Sequence, residues 1–152
     1  RGDAYSIFFQ DNQKAIADYT QAIQIEPKKA YDYSRRGDAY SKLGEKQKAI
    51  ADYTQAIQIQ PQDIFAYYTR GKAYLRFGEN QKAIADHTQA IQIEPDNYAY
   101  FVRGLAYSYL GENQKASADY AQAIKLDPKN ALSGRQVAYN ADRISLIALM
   151  PC

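Results

Sequence analysis

Few residues in this sequence carry reactive chemistry of their own. There is one histidine, His87, and one cysteine, Cys152, which closes the 152-residue chain. An imidazole offers acid–base catalysis or metal ligation near neutral pH, and a thiol offers a nucleophile or a disulfide. Both need company. A metal site wants several His, Cys or carboxylate ligands converging, and a nucleophile wants a base within hydrogen-bond reach. The sequence suggests neither grouping, and none of its glycines forms a loop of the kind that cradles phosphate. The expectation is therefore no catalytic residue, no metal site and no cofactor. His87 occupies a slot that holds Tyr19, Tyr53 and Tyr120 elsewhere, so it reads as a packed aromatic with a polar tip. A lone cysteine excludes a disulfide within the chain. At a terminus it reads as an incidental thiol, with a dimer-linking disulfide as the alternative.

That slot exists because the chain repeats itself. The stretch ADYTQAIQIEP at 17–27 returns as ADYTQAIQIQP at 51–61, ADHTQAIQIEP at 85–95 and ADYAQAIKLDP at 118–128. Pro27, Pro61, Pro95 and Pro128 recur at intervals of 34, 34 and 33 residues, and Gly44, Gly78 and Gly111 follow the same period. Each period holds two apolar segments separated by glycine and closed by proline, the punctuation of a helix–turn–helix unit. Active sites are built once. A segment written four times makes a surface, because each unit must stack on the next to bury its apolar face.

In the copy beginning at Ala30, Tyr33, Arg36, Gly37 and Tyr40 share one helical face. Arg36 is expected to lay its aliphatic stem along that face with its head in water. Gly44 suits the left-handed position after a helix. In the second segment Ala49, Ile50, Tyr53, Ala56 and Ile57 form the apolar stripe, and Pro61 pushes Gln60 out of helical geometry. The small residues Gly37, Ala49 and Ala56 let the two backbones approach, with Tyr40 and Tyr53 filling the space around them. Lys48 and Asp52 are an i, i+4 pair repeated as Lys14–Asp18, Lys82–Asp86 and Lys115–Asp119, read as solvated surface.

These residues resemble the tetratricopeptide repeat, whose pattern of aromatic, small and proline positions lies over Tyr33, Arg36, Gly37, Tyr40, Ala49, Tyr53 and Pro61. It lies again over Tyr67, Arg70, Gly71, Tyr74, Ala83, His87 and Pro95, and over Tyr100, Arg103, Gly104, Tyr107, Ala116, Tyr120 and Pro128. The resemblance implies an all-α fold, a right-handed α-solenoid of antiparallel helix pairs with about four repeats plus a C-terminal capping helix. The expected divisions are 1–29 for repeat 1 with its first helix truncated, 30–63, 64–97 and 98–130 for repeats 2 to 4, and 131–152 for the capping helix and tail. Several features depart from the family. Tyrosine replaces its tryptophan and arginine its leucine, and Asn80 and Asn113 stand where an N-cap would suit the second helix. Repeat 1 lacks the turn glycine, reading SIFFQDNQKAI against SYLGENQKAI. Arg1-Gly2 matches Arg36-Gly37, so the expectation is a fragment or the ordered part of a longer protein. Arg135, Asp142 and Arg143 supply the cap with part of a polar face.

In this family the first helices line a concave face where peptides or helices dock. The stripe this assigns there is Tyr31, Ser34, Asp38 and Ser41, then Phe65, Tyr68, Lys72 and Leu75, then Tyr98, Phe101, Leu105 and Ser108. The structural alternative packs these aromatics between repeats. The expected function is a non-enzymatic scaffold binding an amphipathic or aromatic-rich segment of a partner protein, with Lys72 and Arg76 choosing acidic neighbours. Repeats that clamp acidic chaperone tails use cationic groove positions. Here those positions carry Asp3, Arg35, Phe65 and Thr69, so no such clamp is expected. A second reading is self-association through the truncated first repeat and the apolar Leu146, Ile147, Leu149 and Met150, making a homo-oligomer. A third, binding of single-stranded nucleic acid, is disfavoured by Asp3, Asp38 and a net charge of only +2. No apolar run reaches the roughly 18 residues a membrane span needs. The chain opens at Arg1 without methionine, which leaves room for a removed leader; the expected setting is the cytoplasm.

Overall fold

The computed structural model describes residues 2–128, and side chains from Phe9 onward. The described residues are all helical, without strands: α1 Gly2–Ile25, α2 Ala30–Lys42, α3 Lys46–Ile59, α4 Ile64–Arg76, α5 Asn80–Ile93, α6 Asn97–Tyr109 and α7 Asn113–Leu126. The expected capping helix, with Leu146, Ile147, Leu149, Met150 and Cys152, lies outside the described residues. The chain divides into two compact units, Arg1–Ala73 and Tyr74–Cys152.

The turns form as their glycines require. Gly44, Gly78 and Gly111 take φ of 78°, 74° and 74°, where a side chain would be strained. Around Gly44 the amide of Gly44 donates to Ser41 O at 3.1 Å and that of Glu45 to Tyr40 O at 2.9 Å. This pairing is a Schellman motif, which satisfies the last carbonyls of α2. Lys48 then pairs with Glu45 and sets its Nζ 5.2 Å above the Tyr40 ring. The same seal recurs with Lys82, Glu79 and Tyr74, and with Lys115, Glu112 and Tyr107. At the far ends Gln60, Glu94 and Asp127 leave helical geometry ahead of their prolines.

In the first unit α1 packs on α2 and α2 on α3. Ala49, Tyr53 and Ala56 are buried on α3, and Gly37 is the contact point: a Cβ there would stand 2.8 Å from Tyr53 Cε1. Ala30, Ala56 and Ala66 join α2, α3 and α4 into one apolar cluster with Tyr33, Ile57 and Ile59. In the second unit α6 packs on α5 and α7, and Gly104 meets Tyr120 at 2.9 Å in the same way.

Four local expectations are corrected. The head of Arg36 does not lie in water: its side chain is only 17% exposed, and Nε and Nη2 donate to Asp52 Oδ2 and Oδ1 at 2.8 and 2.7 Å. Arg103 holds Asp119 identically, at 2.7 Å on both oxygens. The lysine–aspartate pairs at i, i+4 therefore do not form at these positions, because arginine on the facing helix takes the carboxylate and lysine turns to the glutamate of the turn. Asn80 and Asn113 are first helical residues; Glu79 and Glu112 occupy the cap positions without a side-chain cap. An N-cap does form where it was not sought, with Asp96 Oδ1 accepting from Ala99 N at 2.8 Å. Finally, α1 is one uninterrupted helix of 24 residues. With no glycine to adopt positive φ, nothing stops the helix where the other copies turn.

Candidate partner-binding surface

The stripe assigned to partner binding falls on α2, α4 and α6. On α2 and α4 of the first unit its members are not equivalent. Tyr31 is 50% exposed and Phe65 37%, and Lys72 is exposed. Ser34 is fully buried, which removes it from the surface. It is small and sits on the side of α2 that faces the protein, so packing claims it. Ser41 is buried too. Asp38 is half-buried and engaged on both sides: Tyr53 Oη donates to its Oδ1 at 2.8 Å, and Arg35 Nη1 lies 3.5 Å from Oδ2. Burial, then the neighbouring Asp38 carboxylate, holds the Tyr53 hydroxyl protonated well beyond its ordinary range. Tyr68 is half-buried.

What joins these residues is Arg35. Its guanidinium carbon lies 4.9 Å from the Tyr31 ring centroid and 5.0 Å from that of Phe65. One cation thus sits between an α2 ring and an α4 ring, with Asp38 beside it. Contacts of this kind contribute about 0.5–1 kcal/mol each at exposed sites. They order the two rings, which single exposed aromatics do not achieve. The spacing of Tyr31 and Arg35 at i, i+4 was the available signal; that Phe65 closes the other side follows only from how α2 and α4 meet. Thr69 donates its hydroxyl to the carbonyls of Phe65 and Ala66 at 3.0 and 3.1 Å, so its own helix occupies it.

In the second unit, Arg76 is exposed at the end of α4, Tyr98 is 40% exposed, and Phe101 and Leu105 are half-buried. Each aromatic rests on a buried one. Tyr98 meets His87 edge-on at 6.3 Å, and the Phe101 ring lies 5.8 Å from Tyr120. Packing and exposure are thus shared by the same side chains. His87 is wholly buried, and burial, with Arg103 second, pushes its imidazole down to about 4. It is neutral at ordinary pH, as a packed aromatic would be. Among the described residues no group of three or more His, Cys, Asp or Glu stands ready for a metal ion. No helix among them is long and apolar enough to cross a membrane.

Models of the tetratricopeptide repeat match residues 98–130, and residues 1–29 with 66–97; a TPR repeat model matches residues 37–78. Comparison with curated proteins finds no match. Several solved structures are similar. The TPR domain of Arabidopsis OM64 is 29% identical, covers 74% of this chain and 95% of its own, and superposes with a TM-score of 0.66. The TPR2B domain of yeast Sti1, solved as a complex with pHsp70, is 26% identical over 76% of this chain and 97% of its own, at 0.71. The first TPR of Spaghetti (RPAP3), bound to the HSP90 peptide SRMEEVD, is 25% identical over 78% of this chain and 94% of its own, at 0.71.

Proposed function

The chain belongs to the tetratricopeptide repeat family, and we propose that it is a non-enzymatic scaffold that binds a segment of a partner protein on the face formed by its first helices. The observation that carries this reading is the exposed stack of Tyr31, Arg35 and Phe65. Ordered aromatic surface backed by a rigid helix pair is what interface hot spots are made of. Similar structures were solved with protein partners, the first TPR of RPAP3 with the HSP90 peptide SRMEEVD and the TPR2B domain of Sti1 as a complex with pHsp70, which supports a protein partner here. The chemistry favours a different peptide class from a chaperone tail. Phe65 and Thr69 stand where cations would be needed, and the face offers apolar ring edges with Arg35 and Lys72 as its charges. The fitting ligand is an amphipathic segment with an aromatic residue and acidic neighbours.

The reading is checked by affinity enrichment with the wild-type chain and with Tyr31→Ala, Arg35→Ala and, as a control on the exposed side of α3, Gln55→Ala. A genuine ligand, remade as a synthetic peptide, loses at least about tenfold in affinity with the first two, roughly 1–3 kcal/mol each, and nothing with the third. Equal affinity for all four chains would sink the proposal.

A further inference from the structure

The stretch RGDAYS on α2, residues 36–41, returns on α6 as RGLAYS, residues 103–108, with five of six residues identical. Their packing matches as well. A Cβ on Gly37 would stand 2.8 Å from Tyr53 Cε1, and one on Gly104 would stand 2.9 Å from Tyr120 Cε1. Arg36 grips Asp52 and Arg103 grips Asp119 through the same two bonds. Each tyrosine is therefore seated alike against its hairpin partner, and its hydroxyl is carried to the equivalent place. Both are buried, Tyr53 at 1% exposure and Tyr120 at 3%.

The one difference decides what each hydroxyl meets. In the first unit Tyr53 Oη donates to Asp38 Oδ1 at 2.8 Å, and the Ser41 hydroxyl bears on the same oxygen of Tyr53. That trio leaves no buried side-chain oxygen without a partner. In the second unit Leu105 stands in place of Asp38. Tyr120 Oη and Ser108 Oγ are both buried there without a hydrogen-bond partner; Ser108 lies near enough to bear on Tyr120, but the bond between them is not closed. Buried hydroxyls are bonded in the large majority of cases, because an unpaired one keeps the full cost of leaving water. A single change from aspartate to leucine thus orphans two hydroxyls of a trio that is complete elsewhere in the same chain. Above them, the Phe101 ring packs 5.8 Å from that of Tyr120, and Phe101 and Leu105 are only half-buried. The orphaned pair lies just beneath the α6 stretch of the face proposed for partner binding.

We propose that α6 and α7 form a socket for a carboxylate brought by the partner. An Asp or Glu side chain of the bound segment takes the place that Asp38 fills in the first unit, accepting from Tyr120 Oη and Ser108 Oγ, with Leu105 turned aside. The inference rests on the scaffold reading and adds the residue type that the second unit selects. Two features favour an acid over a neutral acceptor. Hydroxyl-to-carboxylate bonds are charge-assisted and stronger than neutral ones, and a carboxylate has an oxygen for each of the two donors. Leucine at 105 also removes the negative charge that Asp38 carries in the first unit, so an incoming acid meets no like charge there. The chemistry is that of the first unit, with the acid transferred from the chain to its ligand.

The first test needs no ligand. Tyr120→Phe removes a hydroxyl that the free chain leaves unpaired, so its urea midpoint holds or rises, whereas Tyr53→Phe strands Asp38 and lowers it. A loss in Tyr120→Phe equal to that in Tyr53→Phe means that an internal partner or a bound water already satisfies the hydroxyl, and overturns the socket. The second test selects a display library of random peptides on the full chain. Selected peptides carry an Asp or Glu whose replacement by Asn or Gln weakens binding by at least about tenfold. Tyr120→Phe and Leu105→Asp each erase that difference, the latter because the chain then supplies its own carboxylate. Peptides that require Tyr31 and Arg35 but bind equally well in acid and amide forms leave the scaffold reading standing and refute the socket. Failure to enrich any peptide removes both.

Discussion

Replacing Asp52 with alanine is the sharpest perturbation the fold offers. Asp52 accepts two charge-assisted hydrogen bonds from Arg36, at 2.8 and 2.7 Å. Without it the guanidinium keeps only Thr20, at 3.1 Å, and the Tyr33 and Tyr40 rings at 5.7 and 6.0 Å. Removing one partner of a buried ion pair costs about 3–5 kcal/mol, because the surviving charge stays desolvated. Arg36 retains some access to water and keeps its hydroxyl partner, so the expected loss lies below that range, about 2–3 kcal/mol. With a slope of about 2 kcal/mol per molar urea, the unfolding midpoint falls by about 1 M. The companion variant is Arg36→Met with Asp52→Leu. It removes both charges, and most of the loss is recovered, since apolar groups of similar size suffice when nothing charged is left behind. Lys48→Ala, which breaks the exposed pair with Glu45, leaves the midpoint where it was. If Asp52→Ala matched the wild type, or the double variant were worse than the single one, the account of the arginine would be wrong.

Two further outcomes follow from the packing. Gly37→Ala and Gly104→Ala each drive a methyl against a buried tyrosine ring, at 2.8 and 2.9 Å. Overpacking costs about 1–3 kcal/mol against a helix-propensity gain of about 1 kcal/mol, so both lower the thermal midpoint, and Tyr53→Leu offsets the first. His87 makes stability depend on pH. Its folded value of about 4 lies below the ordinary 6.5, so the unfolded chain binds the extra proton. The stabilisation is complete above about pH 6.5 and declines as pH falls toward 4, by up to about 3 kcal/mol. Urea melts across that window show the decline in the wild type and a smaller one in His87→Phe; parallel curves would contradict it.

The helices, their turns and most of the core were legible because they rest on periodic signals. Glycine at 44, 78 and 111 and proline at 61 and 95 fix chain geometry locally, and their neighbours have little choice. The charges were not legible by the same route. Lys48 and Asp52 share an i, i+4 spacing that is real but loses to a competitor sixteen residues before the aspartate, on the facing helix. The recurrence of that offset in Arg103 and Asp119 was the one sequence clue. On the face proposed for partner binding, Tyr31 and Phe65 were legible as exposed aromatics. Ser34 was not distinguishable from them by spacing alone, and Arg35 was legible only as one position of the absent cationic clamp, because its role depends on rings from two helices. Repeat 1 defeated the pattern from the other direction: its residues say hairpin, and the absence of one glycine says helix.

Each arginine of this kind reaches backward to a threonine as well as forward to an aspartate: Arg36 to Thr20 and Asp52, Arg103 to Thr88 and Asp119. Three residues in three successive helices must therefore agree. A gene that lengthens by copying one whole period hands every new arginine a hydroxyl behind it and a carboxylate ahead, so growth by whole periods is chemically silent. A copy that breaks within a period strands a charge. The fourth segment carries Ala121 where its predecessors carry Thr20, Thr54 and Thr88, so a further unit of the same kind added after α7 would meet no hydroxyl.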